Sequence, residues 1–286
     1  MEERSCGPKP RLLSSVPLPP YCRQDGFESL IFSMTINLLG QTALITGATG
    51  ELGRVIASTL AESGADIAVH FHSNADKAAA LVAEIEAMGR RAVAVQGDVS
   101  DRESVAAMRS AIEEKLGTPN IVVLNAVSKY KWLPVLEQPL EDFEDQFRSC
   151  VAQTVLITQA FAPSMVTRGS GRIIGISSEA ALQCYTLHSA YAAGKRGMDG
   201  VLRCLAREVG PNGVTVNQIA PGWVVTDKDR EAGKEVHEGY ASAVPLRRRG
   251  DDTDIANAVA FLASEQAGFI TGAFLPVCGG NVMVGI

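Results

Sequence analysis

From residue 41 onward, short runs of consecutive apolar residues alternate with longer stretches whose apolar residues recur every three or four positions. The short runs, such as TALIT at 42–46, are bounded by glycine or polar turn residues and predict fully buried strands. The longer stretches predict amphipathic helices closed by glycine: GRVIASTLAESG at 53–64 and ADKAAALVAEIEAMG at 75–89. The same alternation predicts strands over 65–71, 91–99, 120–126, 171–178, 214–222 and 273–280. Helices are predicted over 102–117, 140–166, 189–210 and 254–264. Uniformly apolar strands separated by helices imply a parallel sheet covered on both faces. The expected fold is α/β, a single doubly wound domain; no repeat or interdomain linker interrupts it.

Composition narrows the partners. Of 286 residues, 46% are hydrophobic and 20% charged, and the net charge is -6. Nucleic-acid binders carry a basic footprint, so nucleic acid is excluded as the main partner. The one dense basic run, Arg247–Arg249, is followed at once by Asp251, Asp252 and Asp254. No apolar run approaches the length of a membrane span, so no membrane association is expected. Six cysteines without a CxxC pair imply reduced thiols and a cytoplasmic setting. The histidines form no HExxH, and no metal site is expected. Residues 1–33 are proline-rich and aperiodic and lack the apolar core of a secretory signal. They are expected to be a disordered extension, with the doubly wound domain at 34–286. Met34 is a possible alternative start, which the intact mass of the natively expressed protein tests.

The segment TGATGELG, residues 46–53, lies between the first strand and the first helix. In a doubly wound sheet this turn receives a dinucleotide pyrophosphate, because glycines permit close backbone approach and the helix offers free N–H donors. Gly47, Gly50 and Gly53 are the candidate glycines, with Thr49 and Leu52 between them. Glu51 stands out as a negative charge in such a turn. Two charges about 4 Å apart in water-like surroundings repel by only ~1 kcal/mol, and an acid in the first helical turn interacts favourably with the helix dipole.

Downstream, SAYAAGK places Tyr191 and Lys195 four residues apart on one helix face, with Ser178 thirteen residues before Tyr191. A tyrosine can protonate the alkoxide left by hydride transfer, but its ordinary pKa of ~10 is high for acid–base work at neutral pH. A nearby ammonium stabilises the phenolate; bringing the phenol to neutrality takes about 4 kcal/mol.

With the glycine turn, Ser178, Tyr191 and Lys195 in this order, residues 40–280 resemble the short-chain dehydrogenase/reductase family, in particular its 3-oxoacyl-[acyl-carrier-protein] reductase-like members. The resemblance implies a Rossmann-type domain and a nicotinamide cofactor. The family's standard-length branch writes its turn TGxxxGxG, which would put Glu51 in a glycine slot. The longer branch writes TGxxGxxG, which TGATGELG fits, leaving Glu51 at a variable position free to face away from the phosphates. By the same resemblance Lys195 also holds the nicotinamide ribose and Ser178 the substrate oxygen. Asp98 and Val99 would contact adenine, and Pro221, Gly222, Val224 and Thr226 the nicotinamide end. No acid ends the second strand before Asp76. His72 and Ser73 lie where NADP-preferring relatives carry a basic and a small polar residue, so NADP(H) is favoured over NAD(H).

Two positions depart from the family pattern. Its NNAG segment reads LNAV here: Asn125 and Ala126 match, Val127 replaces a glycine. Cys150 falls in the slot of a fourth catalytic residue, an asparagine at a helix kink, which implies a slower or rewired proton relay through the remaining backbone carbonyl. Trp132, Gln183, Cys184, Tyr185, His188 and Trp223 are candidates for a substrate pocket, with ordinary packing the plainer account of each. Residues 227–244 are expected to form a lid. The preferred reading is an NADP(H)-dependent oxidoreductase of a carbonyl/alcohol substrate, assembled as a homodimer or homotetramer through its late helices. Two others stay open: a non-catalytic NADP(H) sensor or scaffold, and a domain that binds a different nucleotide.

Overall fold

A computed structural model of the chain describes residues 35–283. The expectations for residues 1–33 and for a start at Met34 lie outside the described residues. Seven strands form one parallel sheet in the order β3-β2-β1-β4-β5-β6-β7: β1 Thr42–Ile45, β2 Asp66–Phe71, β3 Ala92–Gln96, β4 Ile121–Leu124, β5 Gly171–Ile176, β6 Val214–Pro221 and β7 Phe274–Val277. The order reverses between β1 and β4, the position at which such sheets open a crevice at their carboxyl ends.

Consecutive strand residues face opposite sides, so each central strand feeds two cores. Ala43, Ile45, Ile67, Val69, Ile121 and Val123 join one core cluster. It is covered by α1 (Glu51–Glu62), α2 (Ala75–Ala87) and α10 (Asp252–Ala263). Leu44, Ala68, Val122 and Leu124 join the other, beneath α3 (Arg102–Leu116), α5 (Gln153–Arg168) and α7 (Ser189–Val209). Burial on both faces explains the uniformly apolar strands. Among the described residues the edge strands β3 and β7 have one neighbour each, and they are partly exposed.

The predicted elements are all present, with ends shifted by a few residues. The structure adds elements too short to show a period: α6 (Ala180–Gln183), α8 (Asp227–Glu231) and α9 (Glu238–Ala243). It also corrects the sequence reading on apolar length. Helix α4 (Leu140–Phe147), a π-helical turn at Arg148–Ala152 and α5 form one continuous helix, long and apolar enough by composition to cross a membrane. Its apolar residues Cys150, Ile157, Phe161 and Met165 are buried against the sheet, which is the pattern of a core helix.

Candidate active site

The glycine turn after β1 is held by neighbours on both sides. The N–H of Gly47 donates to His70 Nδ1 at 2.8 Å, and His70 Nε2 lies 3.1 Å from the carbonyl of Gly97. Because Nδ1 accepts, the ring proton sits on Nε2 and donates to Gly97, so the imidazole is neutral. Burial pushes its pKa below the ordinary value. From β4, the amide of Asn125 donates to the carbonyls of Thr46 and Gly47 at 3.0 and 3.1 Å. The Thr46 hydroxyl receives the N–H groups of Asn125 and Ala126 and donates to buried Gln153, whose amide reaches the Ala126 carbonyl.

Two glycines are required by contact. Gly47 adopts φ +63°, and a Cβ there would stand 3.0 Å from Ala126; at Gly53 it would meet the Gly47 carbonyl at 2.3 Å. Gly50 differs: a Cβ would meet only the Gly47 carbonyl, at 3.2 Å, and would otherwise project into open space. Gly50 caps α1, and the N–H groups of Glu51, Leu52 and Gly53 have no intrahelical acceptor. A concave, donor-lined turn of this kind fits a pyrophosphate.

These residues line one end of a cleft of about 810 Å³. Thr49, His72, Ser73, Asp98, Val99, Asn125 and Ala126 also line it, and Ser178, Tyr191, Lys195, Pro221 and Gly222 line its inner end. Val224 and Thr226 do not. Val224 is held by a backbone bridge to Gly250, and Thr226 by a capping box with the Asp229 side chain at the start of α8. Glu51 lines the cleft as well, with Oε2 buried and unpartnered, so its carboxylate does not turn away. Asp98 accepts the N–H and the hydroxyl of Ser100, and the Ser100 hydroxyl is the first cause of its lowered pKa. His72 and Arg148 act on it in the same direction.

At the inner end, Tyr191 and Lys195 come from the first turns of α7 and Ser178 from the loop after β5. Burial pushes the Tyr191 phenol up to about 12, opposed by a hydrogen bond with Ser178. The sequence predicts the opposite direction, with Lys195 lowering it. The reason lies in where the ammonium sits: Lys195 Nζ donates to the Ile176 carbonyl at 2.6 Å and stands 5.7 Å from the Tyr191 ring centroid. It is itself buried, which lowers its own pKa.

Residues 47–281 match the family model described as Enoyl-(Acyl carrier protein) reductase. The 3-oxoacyl-[acyl-carrier-protein] reductase FabG of Staphylococcus aureus (strain Mu50) is 36% identical over 244 residues, which cover 85% of this chain and 98% of the relative. The chain belongs to the short-chain dehydrogenase/reductase family. Structures of the family superpose on it closely. A blue fluorescent protein from a metagenomic library, in complex with NADPH, gives a TM-score of 0.79 at 35% identity, covering 86% of this chain and 100% of that one. A 7α-hydroxysteroid dehydrogenase complexed with NADH and 7-oxo glycochenodeoxycholic acid gives 0.78 at 33% identity, covering 87% and 97%. Membership makes the protein an NAD(P)-dependent oxidoreductase with a Rossmann-like sheet.

Against that family pattern, Val127 is 43% exposed and lines the cleft without closing it. Cys150 is fully buried in the π-helical turn, so the kink persists without an asparagine. Its carbonyl accepts the Thr154 hydroxyl at 2.7 Å. Tyr130 was not legible in the sequence: its ring stacks on Tyr191, with centroids 4.4 Å apart. Trp132 packs edge-on to Tyr130, and His188 packs against Trp132 at 3.8 Å. Across the mouth, Trp223 packs against His237 and Tyr240. Trp132 and Trp223 remain 48% and 44% exposed, so core packing does not account for them. Gln183 bonds the Asn281 carbonyl, and Cys184 holds a left-handed φ of 50°. Among the described residues no cluster suited to a metal is present, and four cysteines are free thiols.

Proposed function

We propose that the protein transfers hydride between NADP(H) and a carbonyl/alcohol substrate. The observation that carries this reading is the common cleft: a donor-lined glycine turn at one end, with Ser178, Tyr191 and Lys195 at the other. The bound nicotinamide supplies or accepts the hydride, and this chain does the rest. The Ser178 hydroxyl holds the substrate oxygen, and the Tyr191 phenol gives it a proton on reduction and takes one back on oxidation. Lys195 orients the nicotinamide ribose. Gly47, Gly50 and Gly53 with the first N–H groups of α1 hold the pyrophosphate. His72 and Ser73 meet the adenosine ribose, where the absence of a carboxylate at the end of β2 favours a 2′-phosphate over a hydroxyl.

Parallel titrations with NADPH and NADH, followed by nicotinamide fluorescence, should give saturable NADPH binding and weaker NADH binding. A Tyr191→Phe variant should bind NADPH unchanged and lose about 10²–10⁴-fold in turnover, the usual worth of a general acid. Binding of neither nucleotide would defeat the reading, and so would full activity in Tyr191→Phe. Free thiols and a net acidic chain favour a cytoplasmic protein, and a homodimer or homotetramer is the expected assembly, to be checked by light scattering.

A further inference from the structure

A buried carboxylate that the proposed reaction does not use stands next to Ser178. Glu179 is 4% exposed, and no cation pairs with it among the described residues. Three neutral donors converge on it instead. The hydroxyls of Tyr240 and Tyr185 donate to Oε1 at 3.1 and 3.4 Å, and the Asn281 amide donates to Oε2 at 3.0 Å. They come from α9, from the loop between α6 and α7, and from the segment after β7. The second Asn281 amide hydrogen goes to the Tyr185 hydroxyl at 2.8 Å, and the Asn281 carbonyl accepts from Gln183. Both Glu179 oxygens, both tyrosine hydroxyls and the Asn281 NH₂ therefore have partners, as a buried network requires.

The cluster reaches the cleft wall. The Tyr240 hydroxyl accepts the N–H of Trp223 at 2.9 Å, and a Cβ on Gly222 would stand 2.5 Å from it. Gly222 lines the cleft, and the N–H of Glu179 itself donates to the Pro221 carbonyl at 2.9 Å. Glu179 thus ties the loop carrying Ser178 to the Pro221–Gly222 wall through its backbone N–H and through Tyr240, and its side chain holds helix α9 and Asn281.

We propose that Glu179 is a positioning residue for substrate: it latches α9 and the 278–281 segment onto the Pro221–Gly222 wall and so fixes the shape of the cleft's substrate end. The kinetic half of this proposal rests on the hydride-transfer reading; the structural half does not. A carboxylate is the group the cluster demands, because all three facing atoms donate. Glutamine in its place keeps the volume and the two tyrosine bonds but sets its NH₂ against the NH₂ of Asn281. Changing Asn281 to aspartate at the same time reverses donor and acceptor and restores that bond, with the Tyr185 hydroxyl, which accepted from Asn281, turning to donate to the new carboxylate.

The test compares Glu179→Gln, Tyr240→Phe and the double variant Glu179→Gln/Asn281→Asp by amide hydrogen exchange and by steady-state kinetics with an active carbonyl substrate. Both single variants should exchange faster over residues 223–244, and Glu179→Gln also over 278–283. Their KM should rise about tenfold, the effect of one lost hydrogen bond to a charged group. NADPH affinity and kcat should change by less than about threefold, and the double variant should recover both protection and KM. Unchanged exchange over these segments would overturn the latch, as would a fall in kcat at constant KM or a double variant no better than Glu179→Gln. If the wild-type protein has no turnover, the hydride-transfer reading fails, and the exchange data alone decide the latch.

Discussion

At Gly47 a backbone N–H donates to a histidine ring, and that choice makes the glycine turn sensitive to acid. Protonating His70 at Nδ1 would remove the acceptor of the Gly47 N–H. Burial already depresses the pKa of His70 in the folded protein, so the unfolded chain binds this proton more readily. The contribution of His70 to stability is therefore present above its unfolded value of ~6.5 and is lost as pH falls toward the folded value. Urea unfolding at pH 7.5 and 5.5 should show that loss, and His70→Ala should reduce it. At pH 7.5 His70→Ala should itself cost about 2 kcal/mol by orphaning the Gly47 donor. Tyr191 gives a second pH signature. With the phenol pushed up to about 12, the protonated form persists across the neutral range. Carbonyl reduction should be flat from pH 6 to about 9, while alcohol oxidation should rise by about tenfold per pH unit; initial rates in both directions check this. The candidate chemical residues could be picked out of the sequence because the turn, Ser178, Tyr191 and Lys195 occur at fixed local spacings, and the fold lines one cleft with them. His70, Tyr130 and Glu179 could not, since each acts through partners brought near by the sheet.

Among the elements, those with a full period were read correctly and those without one were missed. Helix α10 shows its apolar spacing in the sequence, whereas α8 and α9 are five and six residues long and largely solvent-facing. What fixes α8 is charge. Arg249 is buried, donates to Asp229 at 2.7 Å and to the carbonyls of Val224 and Lys234, and lies over the Trp223 ring. That guanidinium holds the Asp229 carboxyl down at about 2. The sequence reading took Arg247–Arg249 as a surface cluster, and this holds for Arg248, which pairs with Asp254. Arg249 points inward. Arg249→Met should destabilise by about 2–3 kcal/mol, less than for a fully buried pair because Asp229 keeps partial solvent contact. Thermal unfolding measures it, and a loss under 0.5 kcal/mol would show that the ion pair is not what anchors α8. The continuous α4–α5 helix carries the other lesson. Its length and apolar content resemble a membrane span, and only the sheet beneath it gives those residues their role.

In the whole molecule, the two ends of the cleft come from opposite halves of the chain, and nucleotide should couple them. A ligand that binds only the folded state stabilises it by about 2.7 kcal/mol at one hundred times its Kd. For a domain of this size that is a rise in Tm of roughly 5–10 °C, read by differential scanning fluorimetry with and without NADPH. NADH at equal concentration should give a smaller rise. The sheet order has a further consequence, for synthesis. Asn125 lies 78 residues beyond Gly47, so at ordinary elongation rates roughly 4–16 s separate the emergence of the turn from that of the strand that pins it. The strands β1–β3 can collect near the exit of the ribosome before β4 exists, but their glycine turn then lacks half its supports. Nucleotide has little to grip until nearly half the chain has been made, and it secures finished sheets instead of starting new ones.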